Sequence, residues 1–407
     1  MRRLFPFFVL LGLAVASGAV AQDGTRPERL YLNNSLLLGS GRVVSLGGAY
    51  VGIAEGASGL PVNLASIAQR NPTLDRDWDL DVAASVQTTP RKTFDLDNDG
   101  QPDNQYLTHQ QLLLGLSLQY KHYALGAYTR ATFLSYCTTA TEPCQDPLSV
   151  TVANSALALA VGFGDDEFLA AVGLYVATAG FSHPPDTWSY AHTGVAFDAL
   201  YRPRNRPYRI GFSVKPGGVA PLQATEGVVP TVAGRAIFSA AESPATLSLG
   251  ASWLIGPGAE RYNRLSPAAR RQGLEEAEGR RLLAAPPQEA PPAGTLLLTL
   301  QMDLVSPVSQ AAPLGALFTE SPALAIGSAT SLVPRAGVEY EPWQGRLRTR
   351  LGSYLEPSPF PGHPYRTHIT FGFELLVLRY IQEWEIAGTL DLAPLYSNFG
   401  ISVGFWH

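Results

Sequence analysis

The densest run of ligand-type side chains is Asp95-Leu96-Asp97-Asn98-Asp99-Gly100-Gln101-Pro102-Asp103. Carboxylates two residues apart around a glycine-permitted turn open a D-x-D-x-D-G calcium loop, in which hard oxygen ligands surround a divalent cation. A full EF-hand would place a bidentate Glu where Tyr106 stands. The better likeness is a shorter Asp-rich calcium loop, with Asp95, Asp97 and Asp99 as ligands and Asp103 completing the shell. Such a structural calcium would order a surface loop; an ion-free Asp/Asn/Gly turn uses the same residues, and both readings stay open. No other cofactor is required.

Cys137 and Cys144 are the only cysteines. In an exported chain they read as one loop-closing disulfide, since a redox or metal pair would be closer together or joined by further Cys or His. The seven His residues are scattered, and G-x-S-x-G, H-E-x-x-H and nucleotide-loop motifs are absent, so an enzyme is not expected. Only a Ser-His pair assembled across strands would escape this reading. With a net charge of −5, a nucleic-acid partner is not expected either.

The elements that position these groups alternate with period two, which sends successive side chains to opposite faces of a strand. Leu112, Leu114, Leu116, Leu118 and Tyr120 oppose Leu113, Gly115, Ser117 and Gln119; Ile369, Phe371, Phe373, Leu375 and Val377 oppose His368, Thr370, Gly372, Glu374 and Leu376. About fourteen such segments occur, each near the length of a tilted membrane-spanning strand. They lie near 79–89, 109–120, 122–134, 150–163, 167–181, 187–201, 207–215, 245–256, 294–305, 332–341, 345–355, 366–378, 381–392 and 396–407. The fold expected is all-β: a transmembrane antiparallel β-barrel of about fourteen strands with an N-terminal plug segment. Long loops alternate with tight turns, which places both termini on the periplasmic side. Pro257 to Ala293 breaks that rule and reads as a helical periplasmic insert, with Ser266-Pro267 as cap and first turn. It is either a solvated insertion or a docking handle for a periplasmic protein partner.

Met1-Arg2-Arg3, an apolar run from Leu4 to Val15 and Ala19-Val20-Ala21 follow the order of a secretory signal, 1–21, the alternative being a membrane anchor. Residues 22–78 then form the plug, or hatch, and 79–407 the barrel, an outer-membrane location facing lipid. The faces opposite the apolar ones line the lumen. In the C-terminal half they carry Arg335, Glu339, Arg346, Arg348, Arg350, Glu374, Glu383 and Glu385, either a self-neutralising wall or a constriction selecting charged solutes. In the N-terminal half they offer Ala156, Ala158, Ala160, Gly162, Ala171 and Gly173, leaving room for an apolar ligand or an inserted plug.

Ahead of the first strand, Gly47-Gly48-Ala49-Tyr50-Val51-Gly52-Ile53-Ala54 and then Asn63-Leu64-Ala65 lack barrel alternation. This segment resembles the N-terminal hatch of the FadL-like long-chain fatty acid transporter family and the related PorV/UPF0164-type barrels, where a Gly-Ala run precedes Asn-Pro-Ala. Here Leu64 stands in place of the Pro. Arg335-Ala336-Gly337-Val338-Glu339-Tyr340 and Leu351-Gly352-Ser353-Tyr354 look like that family too. The resemblance implies a plug made by Gly47, Gly48, Ala49, Tyr50, Asn63, Leu64 and Ala65, and lateral or plug-gated passage of hydrophobic molecules such as long-chain fatty acids or aromatic hydrocarbons. The alternative is a PorV-like scaffold for secretion or surface display that transports nothing. The last strand, Phe399, Ile401, Val403 and Phe405 against Asn398, Gly400, Ser402 and Gly404, resembles the signal read by the outer-membrane assembly machinery.

Overall fold

A segment whose apolar side chains fall on alternate positions can bury or expose them only as a two-faced strand, and in the computed structural model every such segment is one. The structure describes residues 29–32, 37–69, 77–89, 94–95, 97–102, 106–137, 147–164, 166–224, 231–232, 235–264, 294–308, 311–314, 326–360, 362–380 and 382–405. The long strands are β1 (Trp78–Thr88), β2 (Tyr106–Tyr120), β3 (Tyr123–Cys137), β4 (Pro147–Phe163), β5 (Phe168–His183), β6 (Asp186–Tyr201) and β7 (Tyr208–Lys215). They continue as β8 (Thr246–Ile255), β9 (Leu296–Val305), β10 (Ser331–Trp343), β11 (Leu347–Glu356), β12 (Arg366–Tyr380), β13 (Gln382–Ala393) and β14 (Tyr396–Phe405). Each pairs antiparallel with its neighbour, and β14 returns to β1 from Ala83↔Gly404 to Thr88↔Phe399, closing a fourteen-strand barrel.

The two faces differ as lipid and protein interior require. On β2, Leu114, Leu116 and Leu118 are 46%, 51% and 50% exposed, whereas Leu113, on the opposite face, is 1% exposed. A continuous outward band of Leu, Val, Ile and Phe of this kind is tolerable against acyl chains and not against water. At the tight-turn rim the band ends in exposed Trp78, Tyr120, Tyr123, Phe163, Phe168 and Trp343, an aromatic girdle at headgroup depth. Among the described residues no helix is long and apolar enough to cross a membrane.

Wall height is uneven. Strands β2 to β6 have 15, 15, 17, 16 and 16 residues, against 8, 10 and 10 for β7 to β9. Since about 9–11 residues cross a bilayer, the surplus on β2–β6 extends the wall beyond it at the long-loop end.

The segment before β1 lies inside this wall. Its short turns are α1 (Gly41–Ser45), α2 (Gly56–Gly59) and a 3-10 turn at Leu64–Ala68. The first packs on β11, β12 and β13 and the 3-10 turn on β2 to β6, so the segment reaches across the lumen. Its start differs from expectation. Arg29–Tyr31 forms a parallel strand between Ala240–Glu242 and Ala311–Ala312, both in long loops. The earliest described residues therefore sit at the long-loop rim and not on the periplasmic side. Two free strand edges and a buried site for Leu30 hold them there, which a strand count cannot reveal.

The helix expected at Ser266 to Ala284 lies outside the described residues, as do the signal at 1–21 and Trp406 and His407 at the C-terminus.

Candidate functional site

Between Leu37 and Gln69 the sequence holds only two charged residues, Arg42 and Glu55. Arg42 is buried, Glu55 is largely so, and together they tie the segment to the wall. The Arg42 guanidinium grips Glu339 of β10 with two bonds, Nε to Oε2 at 2.9 Å and Nη2 to Oε1 at 3.0 Å, and also donates to Glu55. Glu55 accepts from Arg209 of β7 at 2.6 Å. Glu339 receives Arg350 of β11 at 2.6 Å, and Glu374 of β12 joins Arg350 to Arg348. Burial alone would raise the Glu55 carboxyl, but Arg42 and Arg209 outweigh it and hold it well below the usual carboxylate range.

The backbone is seated as closely. Gly47 has φ +64°, and a Cβ there would lie 2.7 Å from the Ser353 carbonyl oxygen, so only glycine fits. Gln301 of β9 accepts from the N–H groups of Tyr50 and Val51 at 3.0 and 2.9 Å, and Thr299 donates to the Ala49 carbonyl at 2.6 Å. Arg335 donates to the Gly47 carbonyl at 3.2 Å, beside Gly48. Asn63 caps the 3-10 turn by accepting from Ala65 N–H at 2.9 Å and donates to the carbonyls of Val51 and Ala199, each at 3.1 Å. Leu64, standing where the resembling hatch has proline, donates its N–H to the Asp198 carboxylate of β6, a bond proline could not make. Below it, Leu60, Leu64 and Ile67 pack with Ala156, Ala158, Ala160 and Ala171. The small-residue wall is thus filled by the segment itself.

The residues read as lumen charges divide. Arg335, Glu339, Arg348, Arg350, Glu374 and Glu385 are directed inward, Glu385 beside Glu374, and Glu383 is half-buried near the turn. Arg346 is not among them: it is exposed on the Trp343–Arg346 turn, its guanidinium 6.0 Å from the Trp343 ring centre. The hairpin turns before β11 begins, which removes Arg346 from the alternation that Arg348 and Arg350 keep.

On the long-loop side of the segment the chamber is part aromatic and part polar: Glu356, Arg366, His368 and Asp391 form a buried hydrogen-bonded network against Tyr396. Phe94, Tyr136, Phe181, Trp188, Tyr190 and Tyr396 form one buried cluster with Leu30, Phe181 stacking on Trp188 at 5.3 Å. The wall beside this chamber is interrupted. β6 pairs with β7 only from Phe197 to Tyr201, and with Leu222–Ala224 only from Trp188 to Tyr190. Ala191 to Ala196 have no ladder partner on that side among the described residues. His192 lies in the break, buried, with neither ring nitrogen hydrogen-bonded; Arg130 Nε is likewise buried without a partner.

In the first loop, Asp95, Asp97 and Asp99 bring carboxylate oxygens within 4.8 Å of one another; Asp103 lies outside the described residues. Asp95 already accepts from Gly100 N–H at 3.0 Å and meets Arg366 at 3.4 Å. Burial raises its carboxyl, against the pull of Arg366. Cys137 is disulfide-bonded, while Cys144, its expected partner, lies outside the described residues.

No protein-family model and no curated protein matches the chain. Among solved structures, the CymD monoaromatic hydrocarbon channel aligns over 92% of this chain and 99% of its own, with a TM-score of 0.55 and 12% identity. The fold is that of the CymD channel. The P. putida toluene transporter TodX aligns over 92% of this chain and 100% of its own at a TM-score of 0.49 and 10% identity.

Sequence reading missed Arg42, Glu55 and Arg209, which join the segment to the barrel. The signal was present: two lone charges in an otherwise uncharged, small-residue stretch must find partners if the stretch is buried.

Proposed function

We propose that this protein passes hydrophobic small molecules across an outer membrane, with residues 37–69 acting as the plug that closes the lumen. The carrying observation is the buried aromatic cluster on one side of the long-loop chamber, Phe94, Tyr136, Phe181, Trp188 and Tyr190, which the polar interior of a water-filled pore would lack. Cargo enters from the surface loops and partitions into this chamber, where burying an aromatic ring gains roughly 25 cal/mol per Å² removed from water. The unpaired stretch of β6 beside the chamber is the weakest part of the wall and supports a sideways exit into lipid. The likeness to the CymD channel agrees with this reading at the level of fold.

His192 and Arg130 favour one class of cargo over another. Buried donors without partners are costly, and an acceptor on the cargo, such as a fatty-acid carboxylate, would satisfy them where a plain hydrocarbon would not. The test is uptake of labelled oleate and toluene by cells with and without the protein. Protein-dependent uptake is expected for both, and Arg130→Leu should lower oleate uptake while sparing toluene. Equal uptake in cells lacking the protein would refute the transport reading.

A calcium ion in the first loop belongs to the same proposal, as an ordering device at the outer rim. Asp95, Asp97 and Asp99 supply the oxygen donors such an ion prefers. Calorimetric titration should give a heat of calcium binding that Asp97→Asn abolishes; a silent titration of the unaltered protein would leave an ion-free turn.

A further inference from the structure

At the outer rim, residues 29–31 lie between two surface loops. Strand Gly218–Ala224 leaves β6 at Trp188–Tyr190 and pairs antiparallel with Ala240–Ser243. Arg29–Tyr31 is the next strand, parallel to Ala240–Glu242 on one edge and to Ala311–Ala312 on the other, and Ala311 bridges to Ile326. The loop after β7 and the loop after β9 bond directly at their bases, Ala245 to Ser306, and farther out residues 29–31 bridge them. Leu32 N–H also donates to the Glu242 carbonyl at 2.9 Å, Arg29 pairs with Glu242 at 2.8 Å, and Leu30 is 0% exposed in the chamber cluster.

The same strand is tethered to the plug. Four residues separate Leu32 from Leu37, and Leu37 lies against Gly48. A chain of that length spans at most about 18 Å when fully extended, so the strand cannot move farther than that from Leu37 without loading the plug. We propose that Arg29–Tyr31 is a strap whose departure from between the two surface loops opens the outer mouth, and that mouth and plug are two ends of one moving element. This rests on the transport reading above and concerns how the same lumen is regulated.

The test fixes the strap in place. Arg29 and Ala240 are register neighbours, so the Arg29→Cys/Ala240→Cys protein can be oxidised across the pair. Toluene uptake should be lost on oxidation and return on reduction, with the unaltered protein under the same reductant controlling for the native Cys137 bond. Uptake that persists in the fully cross-linked protein overturns the strap and leaves the transport reading standing. If the unaltered protein shows no uptake, a second measurement decides the strap by itself. Removing residues 22–32 should weaken hydrogen-exchange protection of Ala240–Ser243 and Ala311–Ala312 by roughly tenfold or more, because each loses a paired edge. Unchanged protection there overturns it.

Discussion

An Arg42→Ala protein should keep its barrel and lose its plug seat. Arg42 is the shared partner of Glu339 and Glu55, so its loss leaves two buried carboxylates each short of one cation. Removing one member of a buried ion cluster typically costs about 3–5 kcal/mol, and here the cost falls on α1 and the turn behind it, since no ladder bond is touched. Peptides from 40 to 60 should exchange amide hydrogens far faster than in the unaltered protein, and bilayer conductance should rise, while the barrel keeps its heat-modifiable migration. Arg42→Lys should fall between, retaining charge but not the two-pronged grip on Glu339. Acid works through the same groups with a definite sign. Because the Glu55 carboxyl is held below its unfolded value of about 4.3, its contribution is fully present above that value and is lost as pH falls through the depressed one. Plug protection should therefore persist from neutrality to about pH 5 in the unaltered protein and weaken only in stronger acid. Equal exchange in Arg42→Ala and the unaltered protein would remove the ion cluster as the seat.

Much of the barrel was legible because its physics is local. Leu114, Leu116 and Leu118 alternate with Leu113 and Ser117 whatever the strand pairs with, and tight turns such as Lys121-His122 mark where the chain reverses. Each strand therefore falls on the segment its alternation marks. Arg346 was misplaced because alternation cannot tell the last residue of a turn from the first of a strand. The plug's fit was less legible, since its contacts join residues more than a hundred positions apart: Arg42 to Glu339, Asn63 to Ala199, Gln301 to Tyr50. Leu64 is instructive. It departs from Asn-Pro-Ala, and its N–H, which proline lacks, is the group that Asp198 accepts. The strand at Arg29–Tyr31 was invisible because three residues carry no period, and its partners are short edges inside loops.

A Gly211→Val protein should expel the plug by a different route, through backbone contact and without any change of charge. Gly211 faces inward on β7, where a Cβ would overlap the Val51 carbonyl oxygen and lie 2.6 Å from its carbon. Neither atom can rotate aside. On the neighbouring strand, a Cβ on Gly250 would meet Gly52 N at 2.9 Å, so the Val51–Gly52 turn is pinched between β7 and β8. Moving it breaks the Asn63 bond to Val51 and the 2.8 Å bond from Ser252 to the Gly52 carbonyl. Overpacking of a filled interior costs about 1–3 kcal/mol, and each buried carbonyl left bare adds roughly 1–3 kcal/mol. The control is one residue away: Phe212 points to lipid and is exposed, so Phe212→Val should leave the plug seated. Bilayer conductance and hydrogen exchange over residues 50–64 should therefore separate two adjacent substitutions on one strand. Full protection in Gly211→Val would mean that the turn does not lie against β7.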